Sequence, residues 1–233
     1  MQERYDRRLA AAYVRGMAKD AGLALDSALL DAPLDALTQA EQEQLIEAGQ
    51  AAGLKMYRFK NHEDLPRVRS VLGFLHGVQP ESLLDVGSGR GVFLFPFLRE
   101  FPQVEVTSVD LLAHRVELLN ALRKGGVDRL TALQRDICAW DAADGSFDVV
   151  TLLEVLEHIP DVGRAVRAAV RLARRYVVVS VPSKPDDNPE HIHLLTKDVL
   201  TGLFHDAGCT KLRFGGVNGH LIMTASLDSL EGR

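Results

Sequence analysis

Three glycines at alternate positions follow an apolar run and an acidic residue in Leu83-Leu84-Asp85-Val86-Gly87-Ser88-Gly89-Arg90-Gly91. A buried parallel strand reads as such an apolar run. A glycine turn behind it lets the backbone approach a ligand closely, because no side chain intervenes. A helix starting near Gly91 would aim its first amides into the same crevice. The pattern therefore predicts a nucleoside-type site at the C-terminal edge of a parallel sheet. The spacing G-x-G-x-G is not the G-x-G-x-x-G of dinucleotide binders, so a nicotinamide cofactor fits poorly. Asp85 disfavours a pyrophosphate and favours a ligand with a cationic amino-acid end.

A second group of chemistry-bearing residues is Glu154-Val155-Leu156-Glu157-His158-Ile159-Pro160. If this turn is helical, Glu154, Glu157 and His158 share one face at i, i+3 and i+4. Carboxylates so placed repel unless a cation, a proton or solvent intervenes. Oxygen-rich ligation with one imidazole suits Mg²⁺ or Mn²⁺. His193 is a further ligand or base from the loop after the next strand, with His191 second to it. A metal-free site, in which these groups only pack and bond locally, is the alternative.

The D-x-G-x-G-x-G element resembles the first motif of the class I S-adenosylmethionine-dependent methyltransferases. The resemblance covers about residues 62 to 225. It implies that Asp85, Gly87, Ser88, Gly89 and Gly91 hold the methionine end of the cofactor. Asp110 would accept from the ribose hydroxyls with Leu111 against the adenine, or else cap the next helix. Asp136 and Ile137 would meet the adenine edge, or Asp136 would serve only a surface turn. The E-V-x-E-H stretch is similar to that of two metal-dependent branches. One methylates the terminal ribose 2′-hydroxyl of small RNAs. The other comprises O-methyltransferases of ubiquinone biosynthesis, which act on catechol-like rings. Carried over by motif, Glu154, Glu157, His158 and His193 are the metal ligands. Glu154, His158 and His193 are the candidate catalytic groups, and Glu154 also faces the cofactor. The acceptor is expected to be a hydroxyl or amine of a small molecule. A metal-dependent RNA 3′-terminal 2′-O-methyltransferase is the runner-up, and a non-catalytic cofactor sensor or scaffold the rival of another class.

The elements that must position these groups read as an α/β fold. It is a Rossmann-like, doubly wound, seven-stranded and mostly parallel sheet with an antiparallel terminal hairpin. Strands are expected at 83–86, 104–109, 130–134, 147–153, 176–181, 211–214 and 220–225, with Gly215-Gly216 as the hairpin connection. Helices fall between them. Residues 61–233 form the methyltransferase domain, whose first helix Asn61 would cap. Residues 1–60 form a small helical cap, with helices over 3–21 and 39–50. Thr38 and Glu41 form a capping box on the second. The cap would roof the acceptor pocket or supply a homodimer contact.

The 233 residues carry a net charge of −5, so no global basic field invites nucleic acid. Arg164, Arg167, Arg171 and Arg174 form a helical stripe, read as a solvated face or an RNA contact. Trp140, the single tryptophan, would wall the adenine pocket or fill core. Two cysteines argue against a disulfide framework. With no signal-peptide pattern and no apolar run near the ~20 residues that span a bilayer, a cytoplasmic protein without membrane contact is expected.

Overall fold

The computed structural model describes residues 6–60, 62–185 and 187–227. Strand β1 (Ser82–Val86) buries both of its faces. Alternation sends Leu83 into one layer and Leu84 and Val86 into the other. The same alternation runs through β2 (Glu105–Asp110), β3 (Leu130–Gln134), β4 (Phe147–Leu153) and β5 (Ala173–Pro182), all mutually parallel. The antiparallel pair β6 (Lys211–Val217) and β7 (His220–Ser226) completes the order β3-β2-β1-β4-β5-β7-β6. The expected fold class is therefore the observed one.

The hairpin turn is a correction. Gly215 and Gly216 are paired residues of β6. The chain reverses instead at Asn218-Gly219, both at positive φ (40° and 86°). Val217 pairs with His220, so the loop holds two residues, as the twist of a hairpin demands of an Asn-Gly turn.

Helices α1 (Arg7–Met17), α2 (Ser27–Asp31) and α3 (Gln39–Ala51) come from the N-terminal segment. The expected start of the first at Glu3 lies outside the described residues. The capping box on α3 is present: Glu41 accepts from the Thr38 amide at 2.7 Å and its own amide donates to Thr38 Oγ1 at 3.3 Å. Helix α4 (Pro66–Val78) begins at a proline, with Leu65 as N-cap; Asn61 lies outside the described residues. Then come α5 (Leu94–Glu100), α6 (Ala113–Lys124), α7 (Val162–Leu172) and α8 (Lys197–Asp206). One layer packs α1 and α3–α6 on the sheet; α7 and α8 cover the opposite face.

The described residues of the N-terminal segment pack on a flank of the sheet. Leu9, Ala10, Ala11, Ala12 and Val14 of α1 are fully buried in the layer that contains α6. A β-carbon on Gly16 would lie 1.8 Å from the Ala121 carbonyl oxygen, and one on Gly125 1.7 Å from that of Ala12. The two backbones touch, which only glycine permits. Phe59, also fully buried, lies 5.3 Å from the Tyr13 ring and 5.4 Å from that of Phe95. One core thus runs through residue 60. The apolar face of α1 is occupied within the chain.

Candidate active site

The glycine loop leaves β1 at its C-terminal end. Gly87 donates to Val109 O at 2.7 Å, and Gly91 closes a turn on Ser88 O at 2.8 Å. Gly91 has φ 75°, and a β-carbon there would strike the Phe95 ring at 2.4 Å. At Gly89, φ 57°, no backbone or ring crowds the same position within 3.4 Å. The loop is therefore bare on the side facing an open cleft. Asp85, Gly87, Ser88, Gly89, Leu153, Glu154 and Ser180 line it, with Arg67 and Val68 of α4. None of the described residues before Arg67 does.

Asp85 is 3% exposed. It accepts from Thr151 Oγ1 at 2.6 Å and from Ser88 Oγ at 2.5 Å. Burial pushes its carboxyl up to about 6, opposed by those two hydrogen bonds and reinforced by Asp110. A cationic ligand group in the cleft would favour the ionised form. At the end of β2 the buried Asp110 accepts from the Leu112 amide at 3.0 Å and from Arg115 at 3.3 Å. Leu111 beside it is 63% exposed, an apolar platform at the sheet edge. Asp136 accepts from the Cys138 amide at 2.8 Å and caps a short 3₁₀ turn, Ile137–Ala139, whose Ile137 side chain is buried. Trp140 packs 6.0 Å from the Phe147 ring, on the α7 side of the sheet.

The second group is arranged differently from the helical-face expectation. Glu154 has φ 58°, left-handed, and the 3₁₀ turn Leu156–His158 begins only beyond it. No common face can form across that reversal. The Glu154 carboxylate instead accepts from Ser180 Oγ at 2.6 Å and pairs with His220 Nδ1 at 3.0 Å. His193 directs Nε2 to the Ile159 carbonyl at 3.1 Å. Among the described residues, the group able to hold a metal ion is Glu157, His158 and His191, with ligand atoms within 4.8 Å of one another. Glu154 and His193 lie outside this group and His191 lies in it. The reason is the loop after β5. It is tied to the turn by Ile192 N to Glu157 O at 3.0 Å and by His158 Nδ1 to Glu190 O at 2.9 Å, which brings His191 within 4.8 Å of the His158 ring. A carbonyl only accepts, so His158 Nδ1 carries hydrogen and Nε2 keeps its lone pair. His220 was missed. The Asn-Gly turn that sets its register was the available signal.

The arginine stripe is also split. Arg171 donates to the carbonyls of Trp140 and Ala142, at 2.7 and 2.5 Å, and pairs with Asp144. Arg174 pairs with the buried Asp148. Arg164 and Arg167 are exposed as expected.

The strand order and terminal hairpin, with a glycine loop leaving β1, define the class I S-adenosylmethionine-dependent methyltransferases. A family model described as a methyltransferase domain matches residues 57–213, and the chain belongs to that family. It is 35% identical over 113 residues to a ubiquinone biosynthesis O-methyltransferase of Alkalilimnicola ehrlichii, covering 46% of this chain and 43% of that protein. The namesake from Sodalis glossinidius is 34% identical over 117 residues, 49% and 45% of the two chains. The chain thus spans less than half the length of these curated relatives. An O-methyltransferase family protein from Burkholderia thailandensis shares the fold at TM-score 0.60 and 17% identity, over 95% of this chain and 72% of that one. No described helix is long and apolar enough to cross a membrane.

Proposed function

We propose that the chain transfers a methyl group from S-adenosylmethionine to a ring hydroxyl of a small molecule. The carrying observation is the shared cleft lined by the bare glycine loop, the buried Asp85 and Glu154. A ligand with an amino-acid end and a sulfonium satisfies such a cleft. The loop amides suit its carboxylate, and the acidic groups suit its cations. Asp110 suits ribose hydroxyls, and Leu111 an adenine face. The O-methyltransferase relatives supply the hydroxyl acceptor. Tritium transfer from methyl-labelled donor to catechol is the test. Labelled ether at a rate abolished by Asp110→Ala is expected. Transfer to small amines but not to catechol would sink the hydroxyl assignment.

The donor set Glu157, His158 and His191 fits a divalent cation at the same sheet edge. Two imidazoles with one carboxylate favour Mn²⁺ or a later ion over Mg²⁺. When bound, such an ion would acidify and orient a vicinal diol. Calorimetric titration of Mn²⁺ into chelator-stripped protein should show binding that Glu157→Ala abolishes. Equal heats in both proteins would remove the ion from the site.

A further inference from the structure

We propose that His220 is the general base that removes the acceptor hydroxyl proton, with Glu154 as its positioning residue. The inference rests on the O-methyl transfer reading and adds the group that performs it.

The two-residue Asn218-Gly219 turn fixes His220 opposite Pro182, where β7 starts and β5 ends. Because β5, β4 and β1 are parallel, that point, the residue just past β4 and the glycine loop all lie along one sheet edge. The Ser183 amide donates to Gly219 O at 2.8 Å and pins the turn there. The His220 Nδ1 then stands 3.0 Å from Glu154 Oε2. An ionised carboxylate only accepts, so Nδ1 carries the hydrogen and the neutral ring keeps its lone pair on Nε2. Glu154 is itself fixed twice. Its Oε1 accepts from Ser180 Oγ and its amide donates to Ser180 O at 2.9 Å, and the two together hold its left-handed backbone. Backbone strain of this kind persists where the surroundings over-determine it. Both side chains are 24% exposed, ordered by the fold yet in exchange with water. Glu154 also lines the glycine-loop cleft. An imidazole oriented by a carboxylate that stabilises its protonated form is the arrangement of an effective base. The bases expected from the sequence lack it in this form: His158 and His193 donate to the Glu190 and Ile159 carbonyls, which orient a ring without neutralising its charge.

The donor is consumed once per turnover and is a substrate. Its methyl group is already activated by the sulfonium, so only the nucleophile needs help. The acceptor O–H proton passes to His220 Nε2 as the oxygen lone pair forms the new O–C bond. The C–S bond breaks, and its electron pair stays on sulfur, which leaves as a neutral thioether. The imidazolium, balanced by Glu154, returns its proton to water.

The test compares His220→Gln with wild type on two acceptors. Catechol needs a base; 4-nitrocatechol is acidified by its nitro group and ionises unaided. With catechol the variant should lose about a hundredfold or more in kcat, with 4-nitrocatechol less than about tenfold, while calorimetry with S-adenosylhomocysteine shows unchanged affinity. Undiminished turnover of catechol, equal losses on both acceptors, or lost cofactor binding would each overturn the base assignment. Wild type that binds S-adenosylhomocysteine but methylates neither catechol would overturn the acceptor reading, and the base with it.

Discussion

Asp85 shows how one residue couples ligand binding to stability. Its carboxyl sits at about 6 in the fold against 3.8 for the unperturbed group, because burial penalises the charge. The folded state therefore holds the proton over a range where the unfolded chain has released it. Stability falls as pH rises from about 4 through 6 and is level above. A shift of that size corresponds to roughly 3 kcal/mol. Asp85→Asn keeps the shape and removes the titration. Urea unfolding at pH 5 and pH 8 should show a decline in wild type that the variant lacks, with the variant the more stable at pH 8. The same carboxylate makes cofactor affinity rise with pH up to about 6, because a cation requires the ionised form. Calorimetry of S-adenosylhomocysteine across pH 5 to 8 checks this, and a flat profile would detach Asp85 from the ligand. That Asp85 and Asp110 stand at the C-terminal ends of strands was legible in the sequence because each follows its own apolar run. His220 was not. Its partner Glu154 is 66 residues away, and neither composition nor period carries that pairing.

At the scale of elements, glycines in helices separate contact from propensity. Replacing a helix-interior glycine by alanine ordinarily gains up to about 1 kcal/mol. A methyl group added at Gly77 in α4 would meet nothing within 4 Å, so Gly77→Ala should raise Tm. Gly16 in α1 faces the Ala121 carbonyl. There the overpacking cost of about 1–3 kcal/mol outweighs the gain, and Gly16→Ala should lower Tm. Thermal scans of the pair decide it, and parallel increases would mean that α1 is not seated against α6. The elements themselves were largely readable. Apolar runs marked β1 to β5, and a capping box marked α3. Two features escaped for local reasons. A glycine pair inside β6 outweighed the Asn-Gly turn two residues on. The left-handed backbone of Glu154 cannot be read from a non-glycine residue, so the spacing suggests a helical face where the chain in fact reverses.

Over the whole molecule, the crevice is made at one sheet edge while the N-terminal segment braces a flank. Removal of residues 1–18 should therefore cost the fold a layer. It would strip a layer that includes five fully buried residues of α1. Loss of a cooperative unfolding transition is expected, and a truncated chain with wild-type Tm would show that the brace is dispensable. The seating of α1 on α6 also has a consequence in time. During synthesis the first helix emerges about a hundred residues before its partner. At roughly 5–20 residues per second the wait is on the order of ten seconds. Throughout it, an alanine- and leucine-lined face stands open to solvent or to any chaperone that meets it. Ribosome-arrested chains should accordingly protect α1 from protease only once α6 has cleared the exit, so that a helix made about a hundred residues earlier waits for its partner before it is seated.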